Sequence, residues 1–480
     1  MTQHLVLDER DAPPWSEAAD VVVLGLGCAG AAAALEADAA GAETMVLERA
    51  SGGGGTSALS GGVLYLGGGT AVQRGAGYED SAEEMYKYLM AACGPAVDEA
   101  KAAVYAEESV AHFDWFVAQG LSFSPVFYPH YSGEPPTDDG LVFSGSEAAY
   151  PYDEIAKPAP RGHCPRVPGS AGGLLMQKLC AAVAASSARV VTDARGEALV
   201  RASDGSILGL IANTGDERRA IRARRGVVLS TGGFIHDDAM LERHAPELLR
   251  CNIRVGAEGD DGSGIRMGMA AGAEALHMGT GSISLPIHPP KSVSRGVLVN
   301  EHGQRFVNED VYMGLLGEHV LYRQDGVAFL LFDDANFERP AMARELVAVG
   351  ESWTAVGAEL GLPPGALEAT MQLYDDAARR AEDPVFHKRP PYVVPLDTPP
   401  FGALDCRVDS SAFAAFTLGG LHTDAWGEVL TPTGDVLPGL YAAGRATSGL
   451  AAPGYSSGLS LGDGSFFGRR AGRAAARRAL

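Results

Sequence analysis

Three glycines near the start of the chain have the spacing of a phosphate-binding turn. Gly25, Gly27 and Gly30 follow a short run of β-branched residues. In this motif the first glycine permits a tight turn, the second lets a pyrophosphate approach the backbone, and the third allows close helix–strand packing. The carboxylate of Glu48, 18 residues further on, can accept ribose hydroxyls but would repel a 2′-phosphate. The spacing therefore predicts an adenine dinucleotide site and disfavours NADP.

Two further clusters of small residues favour FAD over NAD, which the glycine turn alone leaves possible. Residues 52–62 are mostly glycine, serine and threonine, so their amides and hydroxyls can follow an extended pyrophosphate toward a flavin. The segment 439–465 predicts a strand that ends at Gly444 and a helix that begins near Ser460. The N-terminus of that helix, aimed at the N1/O2 edge of a flavin, would stabilise the negative charge of its reduced form.

Strands and helices must hold these loops in place. Residues 20–24, 29–40 and 44–48 predict a β-α-β unit around the glycine turn. Further strands are predicted at 189–192, 196–202 and 206–213, as a meander, and at 225–234, 283–300, 327–333 and 440–444. Helices are predicted at 172–186, 264–272 and 459–475, twice within 79–120, and across 340–383 with a break at Pro363-Pro364.

Composition excludes several classes of protein. The chain has 480 residues and a net charge of −22, so it would repel nucleic-acid backbones. The longest apolar run, 21–35, is 15 residues, whereas a membrane span needs about 20. Residues 1–20 are too acidic for a secretion signal. Six widely spaced cysteines predict free thiols and no metal site. We therefore expect a cytoplasmic protein with no integral membrane segment.

Six motifs, in order along the chain, resemble the FAD-binding domain of the fumarate reductase/succinate dehydrogenase flavoproteins. They are the β-α-β unit, T-S-x-x-S-G-G at 56–62, S-T-G-G-F at 230–234, and the segments 258–265, 303–309 and 444–465. The resemblance implies an α/β (α+β) fold, in which a Rossmann-like GR2-type FAD-binding domain is interrupted by an α+β substrate-capping domain. A change of composition near 280 and a proline cluster at 384–400 place the FAD-binding domain at 1–280 and 398–480, and the capping domain at 281–397.

The same resemblance implies which residues contact FAD. The cofactor-binding set it predicts is Gly25, Gly27, Cys28, Ala29, Gly30, Glu48, Arg49, Gly55, Thr56, Ser57, Ser60, Gly61, Gly62, Thr231, Gly232, Asp261, Gly444, Arg445, Gly458, Ser460 and Leu461. Family members that bind FAD covalently do so through a histidine, and the equivalent position here is about Gly55. We therefore expect non-covalent FAD.

Tyrosine and serine stand where fumarate reductases carry arginines for their dicarboxylate substrate. Tyr312 follows the Val-Asn-Glu segment, and Tyr455 and Ser457 occupy the loop before the last helix. A dicarboxylate would lack charged partners in such a site. The pattern is similar to that of the 3-ketosteroid dehydrogenases of the family, and the loop resembles the Δ4-(5α) type more than the Δ1 type, whose Tyr-Pro-Gly-Pro-Gly pattern is absent. A Δ1 enzyme uses a further tyrosine, for which the candidates are Tyr128, Tyr131, Tyr150 and Tyr152.

Desaturation beside a ketone requires loss of an α proton and transfer of a β hydride to flavin N5. Tyr455 with an amide near Gly458 can donate to the carbonyl oxygen, and Ser457 with Tyr312 as relay can take the proton. The sequence does not distinguish which of these three side chains has which role. His422 is a weaker candidate. The alternatives are Δ1 desaturation, a flavin-dependent ene-reductase acting on another enone or small acid, and a non-catalytic flavin-binding protein. A desaturase also implies a steroid-like substrate and an external electron acceptor.

Overall fold

The computed structural model describes residues 5–130, 134–215, 217–288, 290–342, 344–451 and 453–479. Tyr131, one of the four candidate tyrosines of the Δ1 alternative, lies outside these ranges. Among the described residues, no helix combines the length and the apolar character needed to cross a bilayer.

A nine-stranded sheet forms the centre of the molecule. Its order is Val6–Asp8, Ala194–Arg201, Ile207–Thr214, Glu217–Leu229, Glu17–Leu24, Thr44–Leu47 and Arg189–Val191. The long strand Glu217–Leu229 is antiparallel to Ile207–Thr214 in its first half, and parallel to Val436–Ala442 in its second half. Glu428–Leu430 pairs with Val436–Ala442. The strand before the glycine turn, Glu17–Leu24, and the C-terminal strand Val436–Ala442 therefore belong to the same sheet.

The predicted meander is only partly correct. Ala194–Arg201, Ile207–Thr214 and Glu217–Leu229 are joined antiparallel, as expected. Arg189–Val191, however, pairs parallel with Thr44–Leu47. It follows the helix Gly172–Ala185, and a helical crossover returns the chain as a parallel neighbour.

Helices pack against the central sheet in two apolar clusters, and further helices lie in the region 281–397 that the sequence predicts as a capping domain. The α-helices are Cys28–Ala39, Gly55–Leu59, Ala71–Gly75, Ala82–Ala92, Glu99–Glu107, Ser109–Ala118, Tyr152–Ile155, Gly172–Ala185, Asp238–His244, Ser263–Ala270, Met313–Arg323, Trp353–Glu359, Ala366–Ala378 and Leu459–Arg477. Short 3₁₀ helices are Glu9–Asp11, Pro246–Arg250, Lys291–Arg295, Pro390–Tyr392 and Gly444–Ala446. The helical prediction for 340–383 is wrong at its start. Leu346–Gly350 is a strand, which pairs antiparallel with the strand Phe401–Asp405.

Smaller sheets surround the central one. Val297–Val299, Phe329–Asp333, Phe401–Asp405 and Leu346–Gly350 form an antiparallel sheet with its own apolar core, and its strand Phe401–Asp405 lies beyond the predicted limit at residue 397. The domain boundaries stay a prediction. A second sheet consists of the strands Ile253–Arg254, Ala414–Thr417 and Gly281–Ser284. A third consists of Ala275–Leu276 and Gly420–Leu421, and a fourth consists of Leu64–Tyr65, Gly162–His163 and Leu141–Val142.

The C-terminal helix, Leu459–Arg477, packs directly on the helix Cys28–Ala39. A Cβ atom at Gly468 would lie 2.4 Å from the Ala29 carbonyl oxygen, and one at Gly472 would lie 2.1 Å from the Ala33 carbonyl oxygen. Both distances are below van der Waals contact, so the two backbones touch only because these positions lack side chains.

We expect Gly472→Ala to force the two helices apart and to destabilise the FAD-bound protein by about 1–3 kcal/mol, because a tightly packed backbone contact cannot accept a methyl group. The check is Tm followed by circular dichroism. Gly173→Ala is the matched control: Gly173 is helical and exposed, and no atom lies within 4 Å of its added Cβ. If both variants have the same Tm as the wild type, the interpretation of this helix contact is wrong.

Candidate active site

The glycine turn has the geometry that its spacing predicts. Gly25 has φ +103°, and a Cβ there would lie 2.5 Å from the Ser230 carbonyl oxygen. A Cβ at Gly30 would lie 1.9 Å from the Gly25 carbonyl oxygen. At Gly27, by contrast, the nearest atom to an added Cβ is the Ser57 Oγ at 3.4 Å. Gly25 and Gly30 are thus required by packing, whereas Gly27 leaves the backbone open on the side where a phosphate would approach.

Glu48 anchors the turn from the end of the second strand. Its two carboxylate oxygens accept hydrogen bonds from the Leu26 N–H at 2.7 Å and the Ala50 N–H at 2.9 Å. Each carboxylate oxygen has a second acceptor position, so Glu48 can still accept ribose hydroxyls. Beside it, Arg49 pairs with Asp261 at 2.9 Å. These three predicted residues therefore lie together at one end of the site.

The segment predicted as a Gly/Ser loop contains a short helix, Gly55–Leu59. The Cys28 N–H donates to Ser57 Oγ at 3.2 Å, which ties this helix to the start of the helix that follows the glycine turn. The Ser60 hydroxyl donates to the Ser57 carbonyl at 2.7 Å and accepts the Gly62 N–H at 3.2 Å. Local hydroxyl–backbone bonds of this kind give a segment without apolar periodicity a fixed shape.

Asp260 is a residue of the candidate site that sequence reasoning missed in favour of its neighbour Asp261. It is 4% exposed, forms an ion pair with Arg445, and accepts the Thr56 hydroxyl at 2.9 Å. Gly232 has φ +81°, and a Cβ there would lie 2.0 Å from an Asp260 oxygen. Asp260 thus joins the predicted segments that carry Thr56 and Arg445, and it lies against the segment that carries Gly232. Nothing in the Glu-Gly-Asp-Asp-Gly run distinguishes the two aspartates.

The C-terminal helix begins at the same site. Gly458, with φ +92°, precedes its first residue, and a small cavity beside the first turn is lined by Gly444, Arg445 and Ser460. The Leu461 carbonyl oxygen is 4.0 Å from the Cys28 Sγ, so the first turns of the two packed helices meet. Thr231 and Gly232 reach this region from the end of the long central strand.

Tyr312, Tyr455 and Ser457 meet although they belong to distant segments. The Tyr312 and Tyr455 rings are 6.5 Å apart, and the hydroxyls of Ser284 and Ser457 lie near the Tyr312 hydroxyl and act to lower its pKa. Burial, followed by the nearby Tyr455, raises the pKa of Tyr312, and the two serine hydroxyls only partly offset this rise. Burial also raises the pKa of Tyr455, whose oxygen accepts the Ser460 N–H at 3.3 Å. Their catalytic roles stay a prediction.

An ion-pair network holds the segment that carries Tyr312. Arg305 pairs with Glu309 at 2.7 Å and with Asp383 at 2.8 Å, and Lys388 pairs with Glu309 at 3.0 Å. All four groups are buried. The segment 303–309, which resembles the family in sequence, therefore fixes the backbone just before Tyr312.

The weaker candidates have other partners. His422 Nδ1 lies 2.7 Å from a Glu274 carboxylate oxygen. Of the tyrosines considered for a Δ1 enzyme, Tyr128 packs against His130, Tyr150 against His387, and Tyr152 against Tyr88.

Comparison with known proteins decides the family. The model of the FAD binding domain matches residues 20–459, most of the chain. This chain belongs to that family. FAD is its cofactor, and the protein is an FAD-dependent oxidoreductase of mixed helix and sheet architecture.

Three relatives are informative. The chain is 30% identical to the 3-oxo-5-alpha-steroid 4-dehydrogenase of Comamonas testosteroni, over 92% of this chain and 95% of that protein. It is 28% identical to the 4-oxocyclohexanecarboxylate 2-dehydrogenase of Sinomonas cyclohexanicum, over 95% of this chain and 92% of that protein. A crystal structure of the 3-ketosteroid-delta4-(5alpha)-dehydrogenase of Rhodococcus jostii RHA1 with 4-androstene-3,17-dione is 43% identical, with a TM-score of 0.94 over 98% and 99% of the two chains.

The residues present fit FAD. Thr231 Oγ1 and Arg445 Nη1 are buried and have no hydrogen-bond partner among the described residues, and both lie at the junction of the predicted flavin-binding segments. Buried polar atoms normally have partners. A ligand with hydrogen-bonding oxygens and nitrogens, such as the flavin or the pyrophosphate of FAD, can supply them.

We expect Glu48→Ala to weaken FAD binding by about 10- to 100-fold, because hydrogen bonds to a charged group contribute about 1.5–3 kcal/mol each. The check is FAD retained on gel filtration, with Kd measured by flavin fluorescence. Glu43→Ala, at an exposed position just before the same strand, is the control, since it loses only a surface ion pair with Arg224. Equal FAD affinity in both variants would contradict the assignment of Glu48.

Proposed function

We propose that this protein is a 3-ketosteroid Δ4-(5α)-dehydrogenase, which introduces the C4–C5 double bond into 5α-saturated 3-ketosteroids. The observation that carries the proposal is the hydroxyl cluster of Tyr312, Tyr455 and Ser457, at positions where a dicarboxylate reductase of the family would present arginines. The 43% identical structure that holds 4-androstene-3,17-dione supports it.

We assign to the Tyr455 hydroxyl the binding of the ketone. Its oxygen accepts the Ser460 N–H, and in our assignment its hydrogen donates to the 3-keto oxygen. A donor there, joined by the backbone amide near Gly458, stabilises the negative charge that the oxygen gains as the adjacent proton leaves. Phe416, with its ring centroid 5.2 Å from that of Tyr455, adds an apolar wall suited to a steroid.

We assign to Ser457 the role of taking the C4 proton, with Tyr312 as relay. Burial raises the pKa of Tyr312, so this residue is a neutral phenol that can accept one proton while passing on another. The C4–H bond breaks with its electrons forming the double bond, and the C5–H bond breaks with its electron pair leaving as hydride. Bound FAD supplies the hydride acceptor. Ser457 Oγ takes the C4 proton as the Ser457 hydroxyl proton passes to the Tyr312 oxygen, and the Tyr312 hydroxyl proton is released to solvent, so both hydroxyls end neutral.

The charge balance of the site argues against a dianionic substrate. Arg445, the arginine next to the cavity, is paired with Asp260. A dicarboxylate such as fumarate would therefore enter without a free cation from that arginine, and burying an unpaired carboxylate is unfavourable.

We further propose that FAD is held non-covalently, that a separate electron acceptor reoxidises it, and that the protein works in the cytoplasm. Gly55, where a covalent member would have histidine, offers no nucleophile. All six cysteines are unpaired, as is usual in a reducing compartment.

The deciding experiment is anaerobic titration of the yellow protein with several substrates. We expect the 5α-saturated counterpart of 4-androstene-3,17-dione to bleach the flavin, and 4-androstene-3,17-dione itself to bind without bleaching. Bleaching by the 4-ene would indicate Δ1 desaturation. Bleaching by 4-oxocyclohexanecarboxylate with none by steroids would indicate a smaller ketone. Turnover of fumarate by the dye-reduced protein would overturn the assignment.

Removing one hydroxyl at a time tests the residues. Ser457→Ala, Tyr312→Phe and Tyr455→Phe are each expected to lower the rate of flavin reduction by about 10²- to 10⁴-fold, as measured by anaerobic stopped flow. Tyr455→Phe should also weaken binding of the 3-keto product, because it loses a hydrogen bond to the bound ketone. Tyr78→Phe is the control, since Tyr78 packs only on Phe127 and Phe143 among the described aromatic rings. Near-wild-type rates in all three variants would rule out the hydroxyl cluster.

A further inference from the structure

Residues 144–146, here called the connecting segment, contact both parts of the chain that carry the hydroxyl cluster. The Ser457 N–H donates to the Ser144 carbonyl oxygen at 2.9 Å, and the Tyr312 N–H donates to the Ser146 hydroxyl at 2.9 Å. Ser144 and Ser146 are buried. The position of Ser457 relative to Tyr312 therefore depends on where this segment lies, although the two residues come from different regions of the chain.

The side chain of Tyr88 binds the connecting segment to the loop before the last helix. Its hydroxyl oxygen accepts the Ser146 N–H at 2.8 Å and lies 2.9 Å from the Ser456 Oγ. Burial raises the pKa of Tyr88 well above its ordinary value, so the phenol keeps its proton. It can therefore accept a hydrogen bond from Ser146 while it shares another with Ser456.

These bonds form a continuous series between the two groups of the proposed proton transfer. The Tyr312 N–H donates to the Ser146 hydroxyl, and the Ser146 N–H donates to the Tyr88 hydroxyl. The Tyr88 hydroxyl in turn is hydrogen-bonded to the hydroxyl of Ser456, the residue before Ser457. A displacement of the Tyr88 hydroxyl would therefore move Tyr312 and Ser457 relative to each other.

The Tyr88 hydroxyl is closely confined. A Cβ at Gly145 would lie 2.2 Å from the Tyr88 oxygen and 2.4 Å from the Ser456 Oγ, so the backbone of the connecting segment passes directly over the bond between these hydroxyls. The centroid of the Tyr88 ring lies 5.9 Å from that of Tyr65, in a stacked arrangement, and 5.8 Å from that of Tyr152. Ring packing therefore fixes the direction in which the hydroxyl points.

Tyr88 belongs to the helix Ala82–Ala92, and the end of this helix touches the same loop. A Cβ at Gly454 would lie 2.1 Å from the Ala92 carbonyl oxygen, so the two backbones are in direct contact. The buried side of the helix packs into the apolar core. The helix thus holds the loop at two points, at Gly454 through its backbone and at Ser456 through Tyr88.

We propose that Tyr88 is a positioning residue for the proton transfer, and that its hydroxyl sets the distance between the Ser457 and Tyr312 hydroxyls. This rests on the proposed function, in which Ser457 takes the C4 proton as its own proton passes to the Tyr312 oxygen. Proton transfer needs the two oxygens within about 2.6–3.2 Å of each other, so a small displacement of Ser457 slows it. Tyr88 acts through Ser146 and Ser456.

The first test compares Tyr88→Phe with Tyr86→Phe in the FAD-bound protein. Tyr86 lies on the same helix and donates its hydroxyl to Glu99 at 3.1 Å, so it is the matched control for loss of a phenol hydroxyl. We expect Tyr88→Phe to slow flavin reduction by the 5α-saturated ketosteroid by about 10- to 100-fold. FAD content and affinity for the 3-keto product should be unchanged, because the bond between Tyr455 and Ser460 remains. Tyr86→Phe should match the wild type.

A double-mutant cycle separates positioning from a general effect on the fold. If Tyr88 acts by placing Ser457 against Tyr312, adding Tyr88→Phe to Ser457→Ala should cause no further loss of rate, because the group that is positioned has been removed. Equal fold losses in the wild-type and Ser457→Ala backgrounds would show that Tyr88 only supports the fold, and would overturn the proposal. A wild-type rate in Tyr88→Phe would also overturn it.

Ser456→Ala removes the same hydrogen bond from its other partner and decides the question if Tyr88→Phe does not fold. We expect slower flavin reduction, unchanged product affinity, and no further loss when it is combined with Ser457→Ala. In that case a wild-type rate, or an equal loss in both backgrounds, would overturn the role of Tyr88. Wild-type flavin that no ketosteroid bleaches would instead overturn the proposed function.

Discussion

The structure depends on the close contact between the helix Cys28–Ala39 and the C-terminal helix Leu459–Arg477. Gly468 and Gly472 let the two backbones touch, so segments separated by more than 400 residues along the chain share one site. The glycine turn and Cys28 stand at the start of one helix, and Gly458 and Ser460 stand at the start of the other. An anionic cofactor placed there meets free N–H groups from both helices.

Around this contact, polar groups work mainly by fixing one another. Asp260 connects Thr56 with Arg445, and Glu48 connects Leu26 with Ala50. Such buried polar groups are costly unless satisfied, so each fixes the geometry of the segments that it joins. The apolar helix contact brings the segments together, and these bonds determine how they are aligned.

The hydroxyls of Tyr312, Tyr455 and Ser457 lie in a more apolar part of the structure. Burial raises the pKa of Tyr312 and of Tyr455, which keeps both phenols neutral. A neutral phenol can donate to a carbonyl or relay a proton, but it cannot pair with a carboxylate as arginine does. The proposed function rests on this difference: tyrosine and serine suit a neutral ketone, whereas arginine would suit a dianion.

Sequence by itself determined the β-α-β unit, the last helix, the FAD motifs and the family, because glycine spacing and apolar periodicity are local properties. It also singled out Tyr312, Tyr455 and Ser457. It did not determine that residues 189–191 pair in parallel, that 346–350 form a strand, or that Asp260 rather than Asp261 lies against Arg445. Only the tertiary structure shows that the Ser146 hydroxyl accepts the Tyr312 N–H and that the Tyr88 hydroxyl accepts the Ser146 N–H. These features depend on which distant backbone lies alongside a residue, and no local pattern encodes that.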